Sequence, residues 1–455
     1  MSMAAKTERV SYIIDSLRKL LHRGAVQRVT KLVQKVHSVD IARIMLELNA
    51  YERKLLFDIL LNHKAKIVEE ILQEINPEMA VELLHDLEVS RITKILEKVP
   101  SDDAAPIIEA LPEEIAEKVL EQMRERELER LQGLLRYEEE TAGRIMSTDF
   151  LALPEDTLVG DAIAHLQRSA DVEIAFYLYV VSKYNHLLGV LSLRNLLLTP
   201  PDKHLKDIMT PDVISVRADT DQEEVARVVA RYNFLAVPVV DEENKLIGVV
   251  TVDDIIDVIR DEATEDFLKI AGVGDEAILR RSFLGNFLTK FPWLFVPWLG
   301  EIVAGYVISS FQATLSQVIA LAAFIPIVMG MGGNIATQSS TIIVRGLATG
   351  RISFHNVFRV VIKEISVAGL LGLTYGALLG LITRFRFSSP FLLPLAVGSS
   401  IFLAMVVAAL VGSFGPLILA KIGADPAVAS GPFVTTATDI LGSLIYFSIA
   451  SYILI

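Results

Sequence analysis

Five apolar stretches in the last third of the chain are each long enough to cross bilayer hydrocarbon as a helix, which takes about 20 residues. They run roughly over 291–311, 315–344, 365–383, 391–420 and 428–455. The second, fourth and fifth exceed the minimum, which leaves room to tilt or break. The connection after the second carries Arg345, Arg351, Arg359 and Lys363, and the positive-inside rule assigns it to the cytoplasm. The first stretch then enters from the cytoplasm, and five crossings leave the N-terminus inside and the C-terminus outside. Arg384 and Arg386 fall outside on this topology, against the rule, where long basic side chains reach back to headgroups. Residues 1–20 are charged and lack an apolar core, so no cleaved signal peptide is expected.

Charge divides the chain at the same place. From Leu284 onward there are eight Lys/Arg and four Asp/Glu, against 43 and 56 in the whole chain. The first 283 residues therefore carry 35 basic and 52 acidic side chains, a net of about −17. That surplus argues against a nucleic-acid partner, which needs a basic face, and it suits cations. There is no cysteine, so disulfides and thiolate metal sites are excluded.

Polar groups inside the spans are few, and each is costly there. Glu301 lies in the first. The second holds Pro326, Gly330, Gly332, Gly333, Asn334, Thr337, Gln338, Ser339 and Ser340. The fifth holds Thr435, Thr436, Thr438 and Asp439, and Asp425 precedes it in a cytoplasmic turn. Close helix packing accounts for glycine, serine and threonine in such places. Asp439 is different, because no basic residue in any span neutralises it, and this points to cation or proton passage. The Gly-Gly-Asn run is expected to interrupt its helix and turn carbonyls toward a cavity. Such oxygens plus one carboxylate suit a hard cation. Gly332→Leu is then expected to block passage, with Leu321 on an outward face.

Ahead of the spans, residues 77–135 read as short helices about a dozen residues apart, a helical superhelix. Pro77, Pro100 and Pro112 mark helix starts, and Asp102 and Asp103 lie in a first turn beside the positive helix end. On residue pattern alone these acids are a solvated face.

An internal repeat follows. Ile145-Met146-Ser147-Thr148-Asp149 recurs as Ile208-Met209-Thr210-Pro211-Asp212, and Gly189-Val190-Leu191-Ser192 as Gly248-Val249-Val250-Thr251. Each copy reads strand, helix, apolar strand pair, helix. The repeat resembles a tandem pair of CBS domains. Such modules regulate an attached channel or enzyme, and some bind adenine nucleotides through a Ser/Thr-x-x-Asp pattern. Thr251-Val252-Asp253-Asp254 fits that pattern, whereas Ser192-Leu193-Arg194-Asn195 carries Asn in place of Asp. The resemblance gives Arg194, Phe234, Thr251 and Asp254 as a candidate ATP site. Beyond the repeat, Asp254, Asp257, Asp261 and Glu265 fall on one helix face. They form either a solvated face or a divalent-cation site between packed domains.

The order of acidic superhelix, paired CBS domains, connecting helix and five spans comes with two membrane segments. One is Pro326-Ile327-Val328-Met329-Gly330-Met331-Gly332-Gly333-Asn334-Ile335-Ala336-Thr337-Gln338, and the other runs from Asp425-Pro426 to Thr435-Thr436-Ala437-Thr438-Asp439. Together they closely resemble the MgtE family of bacterial magnesium channels. The expected fold is multidomain: a superhelix over 1–140, an α/β tandem CBS (Bateman) module over 141–260 (141–203 and 204–260), a connecting plug helix over 261–287, and a five-helix transmembrane domain over 288–455. The resemblance implies a homodimer in the bacterial inner membrane, its pore lined by the second and fifth spans. Pro326, Gly332, Gly333, Asn334, Gln338, Thr435 and Thr436 are the pore-lining candidates. Asp439 is the pore carboxylate. Asp102, Glu223, Asp254, Asp257, Glu262, Glu265, Asp266 and Asp425 are the further metal candidates, through which intracellular Mg²⁺ is expected to close the pore. Asn233 stands where the family often has an acid. The competing reading is an ion-coupled transporter of another substrate, with Asp439 as relay. No nucleophile–base pair, Walker loop, Rossmann loop or zinc pattern supports an enzyme.

Overall fold

Asparagine and proline punctuate the N-terminal region into short helices. The computed structural model describes residues 3–168, 176–270, 283–349, 351–352, 356–387, 392–423, 425–427 and 431–455. They fall into two units, Met1–Ile259 and Arg260–Ile455. The first begins with α1 (Met3–His22), α2 (Val26–Val33), α3 (Ser38–Glu47), α4 (Ala50–His63), α5 (Ala65–Glu74), α6 (Pro77–Leu84), α7 (Val89–Leu96), α8 (Ser101–Ala110), α9 (Glu113–Gln122) and α10 (Glu125–Leu134). Asn49 and Glu52 form a capping box at α4. Asn76 accepts the Met79 N–H at 2.9 Å with Pro77 in the first turn of α6. Pro100 and Pro112 occupy the capping positions of α8 and α9, as the sequence indicated.

Helices this short are not stable alone. Next-but-one neighbours therefore pack, α3 on α5, α6 on α8, α7 on α9 and α8 on α10. Leu56, Phe57, Leu60, Ile71 and Leu84 are fully buried between them, each worth about 1.5–3 kcal/mol of transfer free energy.

The repeat follows: α11 (Ala142–Ile145), β1 (Ala152–Pro154), α12 (Val159–Arg168), β2 (Tyr177–Val181), β3 (Leu187–Ser192), α13 (Leu193–Leu198), then β4 (Val216–Arg217), α14 (Gln222–Tyr232), β5 (Ala236–Val240), β6 (Leu246–Thr251) and α15 (Val252–Ile270). Each copy forms a three-stranded sheet, with a parallel first pair and an antiparallel second pair. The copies complete each other. Ser147 exchanges backbone hydrogen bonds with Val249 (2.8 and 2.9 Å), and Thr210 does so with Val190 (3.0 and 3.0 Å). Met146 fills the space where a Gly248 Cβ would stand, and Met209 fills that of Gly189. The duplicated methionine and glycine motifs are thus the two halves of one contact, made twice.

In the second unit, five helices among the described residues are long and apolar enough to cross a membrane. They are α16 (Phe283–Ser310); α18 (Ile325–Ala348), after α17 (Gln312–Gln317) and a 3₁₀ segment (Ile319–Phe324); α19 (Val357–Phe387); α20 (Leu392–Lys421); and α21 (Pro432–Leu454). Helix α20 packs against α18, α19 and α21, and α16 packs on α21. Close approach falls at small residues, where Gly376 meets the Gly398 carbonyl and Gly412 meets the Ala336 backbone. This is how helices associate where lipid is as apolar as leucine.

Three expectations are corrected here. Helix α18 runs unbroken through Gly332, Gly333 and Asn334. Two glycines cost a helix only about 1 kcal/mol each, and Gly332 lies buried, facing Ala408 across a small gap. The irregularity comes earlier, in the 3₁₀ segment that ends where Pro326 enters the first turn. Leu321 is fully buried, and its carbonyl accepts the Tyr446 hydroxyl at 2.8 Å. Residues 283–287 belong to the first spanning helix rather than to a connecting helix. Residues 271–282, the middle of that expected helix, lie outside the described residues, as do 424 and 428–430.

Candidate metal centres

In the first unit, α5, α8 and α15 bring acids together that the sequence separates by up to 183 residues: Glu74, Asp102, Asp103, Asp253, Asp254 and Asp257. The first turn of α8 is held by Ser101, whose hydroxyl lies 3.0 Å from that of Thr148. Loss of solvent, then the charge of Asp254, pushes the Asp102 carboxyl up to about 7. Loss of solvent, then Asp102 and Asp254, pushes Asp103 to about 8. Asp254 is raised to about 6, again chiefly by burial, although the Thr251 hydroxyl donates to it. The Asp102 Oδ1 is hidden from solvent and has no hydrogen-bond partner.

An orphaned carboxylate oxygen among like charges fits a cation with oxygen ligands. Among the described residues no three such side chains converge as a ready-made shell. Pattern reading took the α8 acids for a solvated face and left the face of Asp254 and Asp257 open between that and a divalent-cation site. Asp103 was noted only as a first-turn acid, and Glu74 gave no sequence signal beyond its charge.

The other candidates are spread. Glu223 opens α14 and pairs with Arg227 at 2.8 Å. Asn233 is the left-handed cap of α14, with φ 55°, a conformation asparagine tolerates better than most residues. Glu262 and Asp266 lie on the last turns of α15. Glu265 and Asp425 do meet, but through a lysine. Lys269 Nζ lies 2.7 Å from Glu265 and 2.6 Å from Asp425, whose other oxygen accepts the Ala427 N–H at 2.8 Å. Partial burial opposes the Lys269 charge, yet the two carboxylates more than offset it and hold its pKa above the usual value. Both acids were expected at metal sites, and here a single ammonium bridges them and offsets one of their two charges.

Of the nucleotide candidates, Thr251 and Asp254 are hydrogen-bonded to each other. Phe234 stacks on Tyr232 with centroids 5.4 Å apart, and Arg194 is exposed in the first turn of α13. In the first copy, the Asn195 N–H donates to the Ser192 hydroxyl at 3.2 Å.

Among the spans, Asn334 and Gln338 lie one turn apart on the exposed face of α18. Side chains that polar, facing hydrocarbon, are costly. The Gly333 Cβ position is open space. On α21, Thr435 bonds back to the Pro432 carbonyl at 3.1 Å. The Thr436 hydroxyl oxygen is hidden and unpartnered, and Asp439 is half-buried one turn later. The charged group packed against Asp439 is another carboxyl, Glu301 of α16. One residue before it, Gly300 receives the Thr436 methyl. A further acid inside the bundle, Glu364 of α19, accepts from the Ser339 hydroxyl at 3.1 Å. It lies too close to the charged connection to have stood out in the sequence.

Residues 325–449 match a family described as divalent cation transporters, MgtE. Residues 36–140 match the MgtE intracellular N domain, and 142–200 and 205–261 match CBS domains. Over 328 residues, 71% of this chain and 72% of the relative, the chain is 42% identical to the magnesium transporter MgtE of Thermus thermophilus. It is 40% identical to that of Bacillus subtilis over 326 residues, again 71% and 72%. The soluble region is similar to a crystal structure of the cytosolic domain of the Mg²⁺ channel MgtE in complex with ATP. That match has 36% identity and TM-score 0.51, covering 54% of this chain and 99% of the other. With tandem CBS sheets, an acid-lined helical domain and five apolar helices, the last of them carrying an aspartate, the chain is a member of the MgtE family of divalent cation transporters.

Proposed function

We propose that the chain is a Mg²⁺ channel that admits the ion across a bacterial inner membrane and closes when Mg²⁺ binds its acidic N-terminal region. The observation that carries this reading is Asp439, half-buried in a spanning helix with another acid rather than a base against it. A carboxylate in that position costs about 2.5–3.5 kcal/mol, and a passing cation offsets the cost. Mg²⁺ sheds water reluctantly, so it passes largely hydrated, held through its waters. A homodimer would place two such carboxylates on one axis, with α18 and α21 lining the path. Asn334 and Gln338 on the open face of α18 support that lining.

Closure is assigned to the Glu74, Asp102, Asp103 and Asp254 cluster. Like charges brought together cost on the order of 1 kcal/mol per pair at ~4 Å in water, more where water is excluded. Mg²⁺ offsets that repulsion and favours the packed form, by its differential affinity for the two forms alone. The Thr251/Asp254 pair, at ribose-binding spacing, supports ATP as a further ligand of the CBS module. The test is patch-clamp of the purified protein with Mg²⁺ varied on the cytoplasmic side. A Mg²⁺ current that runs without proton or sodium gradients and falls as cytoplasmic Mg²⁺ rises is expected. Dependence on either gradient would favour the coupled transporter. Wild-type current in Asp439→Ala would remove the pore assignment.

A further inference from the structure

Helices α16 and α21 touch where one of them has no side chain. A Cβ at Gly300 would fall inside the methyl group of Thr436, so glycine lets that side chain seat directly against the α16 backbone. The next residue on α16 is Glu301, and one turn beyond Thr436 on α21 is Asp439, with the two carboxyls in contact. Glu301 lies 10 residues past the start of the first apolar stretch, and Asp439 lies 7 residues into α21, so both fall inside the spans and away from their ends.

We propose that Glu301 is a second carboxylate of the ion path, set against Asp439 by Gly300, and that the pair makes the passage favour divalent over monovalent cations. The inference rests on Asp439 being the ion-binding residue. Two ionised carboxylates in contact repel strongly where water is scarce, and a nearby cation relieves this. A divalent ion balances both charges, whereas a monovalent ion leaves one uncompensated. Two carboxylates also offer more oxygens to accept hydrogen bonds from the waters Mg²⁺ retains. The Thr436 hydroxyl oxygen, hidden and unpartnered beside the pair, adds one more polar group at the same level.

The test uses the full chain in planar bilayers, with Mg²⁺ on one side and Na⁺ on the other, reading the reversal potential. Glu301→Gln should still conduct, with the Mg²⁺/Na⁺ permeability ratio lowered about tenfold, while Glu301→Asp should stay near the parent. Asp439→Asn should lose Mg²⁺ current altogether. Gly300→Ala keeps both carboxyls but forces α16 away from α21, and should also lose discrimination, which covers the case of a poorly folded Glu301→Gln. If Asp439→Asn is silent while Glu301→Gln and Gly300→Ala keep the parent ratio, Glu301 has no part in selectivity and the inference is overturned. If Asp439→Asn conducts Mg²⁺ like the parent, the reading beneath it falls as well.

Discussion

Replacing Asp102 with asparagine probes the acid cluster directly. The folded chain holds the Asp102 carboxyl near 7 and Asp103 near 8, against an ordinary 3.8, and Asp254 near 6. A rise of about three units corresponds to on the order of 4 kcal/mol, shared among the coupled carboxyls rather than counted once for each. Because these pKa values are raised, the folded state binds protons more tightly than the unfolded chain. The stabilisation is complete below about pH 4 and is lost as pH climbs through about 6 to 8. In a chelator, the α8–α15 contact should therefore loosen between pH 5.5 and 8, and millimolar Mg²⁺ should restore it. Asp102→Asn removes one charge and one ligand, so it should flatten the pH trend and weaken rescue by Mg²⁺. Hydrogen-exchange protection factors for residues 101–110 and 252–258 of the full chain, corrected for intrinsic rates, measure this. A parent chain with no pH trend, or full Mg²⁺ rescue in Asp102→Asn, would refute the reasoning.

Three other outcomes are expected. Lys269→Met removes the ammonium between the partly buried Glu265 and Asp425; amide exchange at Ala427 should quicken about tenfold, and Lys269→Arg should remain near the parent. Gly412→Val drives a side chain into the Ala336 backbone and should lower stability by about 1–3 kcal/mol, read as a fall in melting temperature; Gly305→Ala, which meets open space, should not lower it. Gly332→Leu should reduce Mg²⁺ flux into proteoliposomes, while Leu378→Ala, at an exposed position on α19, should leave flux near that of the parent; equal fluxes would take Gly332 out of the ion path.

The spans and the duplicated module could be read from the chain because their signals are local or repeated. Twenty apolar residues in a row admit few structures, and two copies of Ile-Met-Ser/Thr support each other. The pairings that matter at the candidate sites are not local. Lys269 meets Asp425 across 156 residues, and Asp102 and Asp254 are nearly as remote in sequence. No spacing rule joins such residues, and only the resemblance to a family had grouped Asp102 with Asp254. Glu301 could be read as an oddity but not as the neighbour of Asp439, since helix adjacency depends on which faces pack. Gly-Gly-Asn misled because local propensity favoured a break that packing against α20 overrides. Leu321 misled because a membrane helix is apolar on its buried and lipid-facing sides alike.

The exchanged methionines bear on how such a module could have arisen. Met146 covers Gly248 and Met209 covers Gly189, so neither copy closes its own sheet. A single ancestral copy would have left that glycine notch open and its methionine without a seat. It would have been stable only by pairing with an identical chain about a two-fold axis, each lending its methionine to the other. Duplication in tandem then turns association between molecules into association within one, and stability no longer depends on concentration. The ribosome must also release the second copy before the first can finish folding, which leaves residues 142–251 to consolidate as one step about midway through synthesis.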